Sequence, residues 1–376
     1  MNPSRATPLH RALSSGALLI MLLMLAATGG AGGALASTKG AGGSGASASA
    51  SASAVHGWRL AWKSNIRYLS ALACPTVSEC FVAGGTPRYG YILRTENDGQ
   101  SWTATTIKAQ QFFDAVACVD QEHCVIGGSG DQVMVTSDGG DHWSPVDLPT
   151  GVTGPSGLSS VTCAANGTCY AAAGLSGYSG TMLYVSTDSG QRWGFESFVH
   201  NQINFMTCPQ PSSCVGVGSV PPADGSVAWP AASRTTENGW LTSSKGRFPG
   251  KWLSLTGVSC LSSSRCYATG LNETLKDPDN MVLLTNNLGQ TWRAVATAPG
   301  LGGLTPWSIS CPTSTICVAG TDGQSVVTTN DDGASWGREV ISRFSGLEGA
   351  TAVTCAAPQH CMALESGDLY MILVQG

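Results

Sequence analysis

Short apolar-rich runs broken by Gly-rich polar turns recur along residues 55–376, and no long helical period appears. The second unit shows the rhythm. Phe112 to Cys118, Cys124 to Gly127, Gln132 to Thr136 and Trp143 to Leu148 each read as a strand, with turn residues between them. Four such strands repeating at about 45 residues predict a propeller of four-stranded blades. A turn signature joins the third and fourth strands, most clearly at Thr329-x-Asp331-x-Gly333-x-Ser335-Trp336. Near-copies are Thr95-x-Asn97-x-Gly99-x-Ser101-Trp102, Thr136-x-Asp138-x-Gly140-x-His142-Trp143, Ser186-x-Asp188-x-Gly190-x-Arg192-Trp193 and Thr285-x-Asn287-x-Gly289-x-Thr291-Trp292. A degenerate copy runs Thr235-x-Glu237-x-Gly239 with Trp240 directly after it, and Trp252 is the candidate to take over the displaced indole's role. In each turn a short Asp or Asn caps local amides, Gly supplies the positive φ, the hydroxyl adds a second local bond and the indole covers the turn.

The cysteines count the units. All fourteen fall into pairs with five residues between partners: Cys74/Cys80, Cys118/Cys124, Cys163/Cys169, Cys208/Cys214, Cys260/Cys266, Cys311/Cys317 and Cys355/Cys361. In an exported chain this spacing predicts one disulfide per blade, stapling the first strand to the second; zinc knuckles lack a paired partner here. The seventh unit has its cysteines and a third strand, Asp368 to Val374, but no turn signature. The segment Trp58 to Trp62 stands where a fourth strand is missing. Pairing the two closes a seven-bladed ring without open edges.

Ahead of the propeller, Arg5 and Arg11 precede an apolar run from Ala17 to Ala27, and Ala34-Leu35-Ala36 offers a small-x-small cleavage site. Residues 1–36 are therefore read as a signal peptide, 37–54 as a Ser/Ala/Gly-rich flexible linker and 55–376 as the propeller. The run is too short for a spanning helix, and the mature chain is expected to carry no membrane span. Removal of Arg5 and Arg11 takes the formal charge from −5 to −7. An acidic domain without Lys/Arg runs is a poor fit to nucleic acid. The expected setting is secreted, extracellular or periplasmic, and the expected state is monomeric.

The turn signatures resemble the BNR or Asp-box repeats of sialidases, some glycoside hydrolases, sortilin-type receptors and photosystem II stability/assembly-factor-like proteins. The resemblance covers residues 55–376 and implies a propeller with the boxes on a rim away from the binding face, so the box residues are structural. Such blades host unrelated functions. Sialidase chemistry would require an arginine triad, a Tyr nucleophile assisted by Glu and an acidic donor. The family's early Phe/Tyr-Arg-Ile-Pro segment is not matched by Asn65-Ile66-Arg67-Tyr68. Arg88, with Tyr89 and Tyr91, is the only Arg/Tyr cluster in a loop expected on the face opposite the boxes.

No His-Glu-x-x-His, Gly-x-Ser-x-Gly or phosphate-cradling loop with Lys occurs, so no catalytic residue, metal or cofactor is assigned. Two long loops on the opposite face, Gly218 to Ala231 with Trp229 and Gly270 to Asn280 with Lys276 and Asp277, are candidate binding elements. Phe112, Phe113, His200, Asn201 and Trp307 begin inner strands and are candidates to line the central channel. The favoured reading is a non-catalytic binding or scaffold module for an envelope protein or extracellular glycan. The alternative is a sialidase-like glycoside hydrolase.

Overall fold

The computed structural model describes residues 57–64, 66, 68–108, 112–149, 155–175, 180–220, 229–243, 248, 253–272, 281–297, 301, 303–342, 347–367 and 370–375. These residues form seven four-stranded antiparallel sheets and no helix. Six blades follow one another as 69–107, 113–147, 155–199, 202–243, 253–297 and 306–340. Within each, the strands lie in chain order from first to fourth. The second blade consists of Phe113–Cys118, Cys124–Gly128, Gln132–Thr136 and Ser144–Asp147, close to the bounds that its apolar pattern implies. In the seventh, Leu347–Ala357, His360–Gly367 and Tyr370–Gln375 are completed by Trp58–Ser64. Trp58 pairs with Gln375 and Ser64 with Tyr370, so the first strand of the chain closes the ring. First strands touch first strands all the way round, the seventh meeting the first blade's.

Every expected cysteine pair is a disulfide, with Cα–Cα separations of 3.9–4.1 Å. Cys118 and Cys124 are directly opposed in the ladder, as are Cys260 and Cys266. A closed loop this short contributes about 2 kcal/mol through the unfolded chain. Seven such bridges belong to an oxidising extracellular or periplasmic compartment.

The cysteines staple the hairpins as expected, and the structure gives them a second role. The second partners, Cys80, Cys124, Cys169, Cys214, Cys266, Cys317 and Cys361, are core residues, each 0–1% exposed. Each belongs to a different inter-blade cluster: Cys80 packs with Leu69 and Val374, Cys169 with Ala171 and Tyr184, Cys214 with Tyr170 and Ile203, and Cys317 with Tyr267 and Val327. The reason is position. Each opens or lies near the start of a second strand, and the neighbouring blades cover both faces of that strand. The first partners lie at the ends of first strands and stay half-buried, except Cys208, which is buried with Cys214. The bridges therefore fill the seams as apolar groups besides tying the hairpins.

The turn signature folds as its residue types dictate. The Gly amide donates to the Thr or Ser hydroxyl at 2.8–3.0 Å. That hydroxyl donates to the Asp or Asn Oδ1, which also accepts the amide two residues beyond the Gly at 2.8–3.0 Å. The His142 amide and ring hold the Asp138 carboxyl at about 2, and the Ser335 hydroxyl and amide do the same for Asp331. The residue before the Gly is left-handed as well, with φ 53° at Asp98, 58° at Ser189, 50° at Leu288 and 63° at Asp332. Its amide bonds the cysteine hairpin of the same blade, as from Leu288 N to Ser264 O at 2.7 Å.

The same turn keys each blade to the one before it. A Cβ on Gly190 of the third blade would lie 2.5 Å from Val125 Cγ2 of the second; on Gly140 it would lie 2.7 Å from Phe81 Cε1 of the first. Gly99 of the first blade faces Val374 and Met362 of the seventh. Trp193 packs with Val125 and Val135, Trp292 with Val215 and Val217, and Trp143 meets Phe81 edge-on at 6.0 Å. The seventh blade has no signature, and Trp58 takes the indole position against Val318 and Val326 of the sixth.

The fourth blade departs from the pattern. Thr236 pairs with Gly239 in a tight hairpin, and the Thr235 hydroxyl donates to Ser212 O at 2.8 Å. Trp240 packs edge-on to Tyr170 of the third blade at 5.9 Å and fills the indole role expected of Trp252, which lies outside the described residues.

Two glycines separate backbone strain from packing. Gly190→Ala is expected to cost about 3 kcal/mol, from the left-handed φ and the contact with Val125 together. Gly239→Ala, at φ 96° with nothing within 4 Å of the new Cβ, is expected to cost about 1 kcal/mol. Urea unfolding with disulfides intact measures both; equal losses would remove the packing contribution.

Candidate functional site

The antiparallel order places cysteine hairpins and box turns at one end of the blades, and second-to-third-strand hairpins with the inter-blade connections at the other. Arg88 and Tyr89 sit in such a hairpin of the first blade, where the Thr86 hydroxyl accepts the Arg88 amide at 3.3 Å and the Tyr89 amide at 3.1 Å. Arg88 is exposed, Tyr89 is 40% exposed, and Tyr91 is half-buried on the third strand between Gly84 and Thr106. His200 is exposed with its ring edge-on to Phe198 at 4.9 Å, and Trp307 is 37% exposed on its first strand.

Phe113 and Asn201 do not reach this face. Phe113 is fully buried between the first two blades, where its ring covers Gly90 at 2.3 Å from the ideal Cβ position. Asn201 is fully buried because its Oδ1 accepts from Ser233 at 2.6 Å and Thr242 at 3.1 Å, tying the third-to-fourth blade connection in place. Both two-strand loops are shorter than their composition suggests. Gly218–Val220 pairs with Trp229–Ala231, so Trp229 belongs to a strand; Gly270–Asn272 pairs with Leu253–Leu255. Lys276 and Asp277 lie outside the described residues.

A repeated feature of the first strands defines the channel. Each carries a bulge at the fourth residue before its first cysteine, Ser70, Asp114, Ser159, Asn204, Thr256, Trp307 and Thr351, and the third, fourth and seventh blades add further irregularities elsewhere on that strand. A bulge turns that side chain out of the ladder. All seven are accessible to solvent on the innermost strands, so they line the channel. Four of them lace adjacent blades by donating to the next first strand. These bonds run from Ser70 Oγ to Phe113 O, Ser159 Oγ to Ile203 O at 2.6 Å, Asn204 Nδ2 to Leu255 O at 3.3 Å and Thr256 Oγ1 to Pro306 O at 3.0 Å. Thr351 donates within its own blade, to Leu364 O at 3.2 Å.

Asp114 and Trp307 are the exceptions. Ionised Asp114 has no hydrogen to donate, and the Ser70 hydroxyl lies within reach of both Phe113 O and the Asp114 carboxyl. Enclosure by the channel wall pushes its pKa up to about 6, partly opposed by a hydrogen bond from Ser70. Tyr68 and Phe112, each two residues before a bulge side chain in sequence, meet edge-on with centroids 5.8 Å apart. Tyr68 holds φ 67°, a strained conformation for a bulky residue, and its carbonyl accepts the Gly85 amide at 2.9 Å. That carbonyl passes 2.2 Å from the ideal Cβ position of Gly84, which explains the glycine there. The Tyr68 ring remains 41% exposed. The channel side chains Ser70 and Asp114 thus follow directly on the Tyr68–Phe112 ring pair of the first two blades. Aligning the seven units on their first cysteines would have revealed it: the fourth preceding position is a neutral polar residue in five units, and Asp114 and Trp307 stand out.

Three arginines form ion pairs at the opposite end. Arg94 pairs with Glu79 at 3.0 Å and with Glu96 and Asp141 at 2.8 Å, Arg59 pairs with Asp98, and Arg265 pairs with Asp332. Among the described residues no group of three His, Cys, Asp or Glu side chains forms a metal site, and no helix is long and apolar enough to cross a membrane.

No protein-family model matches the sequence, and no curated protein matches it. Similar folds occur among solved structures. YCF48 bound to D1 peptide is 14% identical, covers 85% of this chain and 98% of its own, and gives a TM-score of 0.63. YCF48 from Cyanidioschyzon merolae is 14% identical over 84% of this chain and 98% of its own, with a TM-score of 0.58. The GH74 xyloglucanase from Xanthomonas campestris is 12% identical over 85% of this chain and 52% of its own, with a TM-score of 0.56. At these identities the likeness shows the propeller fold alone.

Because enclosure raises the Asp114 pKa, the fold favours the protonated form. That stabilisation is present in full below about pH 4 and is lost as pH rises through about 6. Asp114→Asn is therefore expected to stabilise the protein at pH 7.5 by about 1 kcal/mol, allowing for solvent in the channel, and to be near neutral at pH 4.5. Denaturant titrations at the two pH values measure the difference; a loss of stability at pH 7.5 would contradict it.

Proposed function

We propose that the chain is a secreted, non-catalytic member of the Asp-box propellers, monomeric, and that it binds a protein partner at the cell envelope through the loop face and channel mouth. Residues 1–36 would direct export, 37–54 would tether, and the propeller would present the surface. The observation that carries this reading is the mouth sector at Tyr68, Phe112 and Asp114. A strained backbone at Tyr68, its exposed ring and a carboxyl at Asp114 whose pKa is raised are costs that a purely structural channel does not need. A similar fold holding a peptide, in YCF48 bound to D1 peptide, supports a protein partner over a glycan.

The test is capture of the labelled protein on envelope fractions before and after protease treatment of those fractions. Binding abolished by protease is the expected result. Binding that survives protease and falls to glycosidases would replace the protein partner with a glycan, and no retention would end the envelope-binding role.

A further inference from the structure

We infer that the seam between the sixth and seventh blades carries a docking seat for a glycine-tipped turn of another protein. The seat lies at the box end, apart from the channel mouth, and goes beyond the binding role proposed above.

The complete seams define such a seat. In five of them a Cβ built on the box glycine would lie within 3.6 Å of the residue that follows the second cysteine of the preceding blade. Gly99 thus meets Met362, Gly140 meets Phe81, Gly190 meets Val125, Gly289 meets Val215 and Gly333 meets Tyr267. Gly190 also meets Val135 and Gly99 meets Val374, and these stand directly across the ladder from Val125 and Met362. In the fourth blade, where the box is degenerate, Trp240 covers the equivalent Tyr170 instead. A box turn is therefore held on a cross-strand pair at a fixed place in the blade before it.

The sixth blade presents the same pair, Val318 opposite Thr328. The seventh blade has no signature to cover it, because its third and fourth strands come from opposite ends of the chain. A cavity of about 440 Å3 lies there, within the range of ligand pockets, and both Val318 and Thr328 line it. Gly337 of the sixth blade and Cys361 of the seventh line it as well. The amide side chains of Asn330, Gln359 and Gln375 belong to its wall and offer donors and acceptors for the backbone of a turn.

The regular seats of this protein all accept a residue without a Cβ, so the matching occupant is a turn with glycine at its tip. The chain has no such turn left to give. Its five regular boxes are seated, and residues 37–57, which lead into Trp58, contain no Asp or Asn to cap one. The turn must come from a partner, as a hairpin with Asp or Asn two residues before its glycine.

The test is isothermal titration of the oxidised protein with a cyclised peptide bearing the sequence Thr136 to Trp143, and with the same peptide carrying Gly140→Val. The first is expected to bind saturably and the second not to bind. Gly337→Phe should fill the cavity and weaken the peptide by roughly tenfold or more. A Cβ at Gly337 meets nothing within 4 Å, so the fold tolerates the change. Gly194→Phe, at the same position of the third blade, should leave binding unchanged. No saturable binding, equal binding of the valine peptide, or affinity indifferent to Gly337→Phe would overturn the inference. A concentration-dependent dimer abolished by Gly337→Phe would put a second copy in the seat. A benzophenone at position 337 that crosslinks to residues 37–56 would put the chain's own leader there. Either result overturns the inference as well.

Discussion

The packing of each box turn on the blade before it is the constraint on which the rest of the structure depends. A four-stranded sheet of this size cannot bury enough apolar surface alone. Its core is built between blades, with Val125 and Val135 of one blade meeting Leu158, Tyr184 and Trp193 of the next. The box glycine lies at the tightest point of that seam, which is why it must lack a side chain as well as adopt a left-handed φ. The disulfides fix the hairpin to which the box amide bonds, so the staple and the turn support one another within a blade while the turn locks the seam. At the closing seam Trp58 performs the indole's part of this work, delivered by a strand from the other end of the chain.

This division of labour leaves one end of the ring for function. Ion pairs such as Arg94 with Asp141 tie adjacent blades at the box end. At the other end the bulged first strands expose one side chain per blade to the channel, and most of these are occupied in lacing the ring. A rigid rim with a few uncommitted groups is a suitable platform for recognition, because partner binding needs little reordering of the scaffold.

The fold was legible because repetition multiplies weak signals. Five residues between cysteines and an eight-residue turn, repeated around the ring, specify strand order, blade number and closure. What the spacing does not carry is depth: Cys80, Cys169, Cys214 and Cys317 read as hairpin staples, and only the neighbouring blades make them core. The site was less legible because its residues are exceptions to the repeat. Phe113 reads as a mouth aromatic, yet the bulge that follows it turns Asp114 outward and leaves Phe113 in the seam. Asn201 looks like a polar rim residue, but two hydroxyls of the fourth blade, far from it in sequence, claim its carbonyl oxygen. Trp229 reads as a loop residue because Pro and Gly surround it, whereas cross-strand pairing carries the ladder out to Val220. In each case a long-range contact overrides a local signal.

The most direct measurement is hydrogen exchange of the protein with and without its captured envelope partner. The account predicts slowed exchange at Tyr68 to Ser70, at Gly84 to Gly90 and around Phe112 to Asp114, with the box turns unchanged. Protection confined to the box turns and cysteine hairpins would place recognition on the opposite end and contradict it.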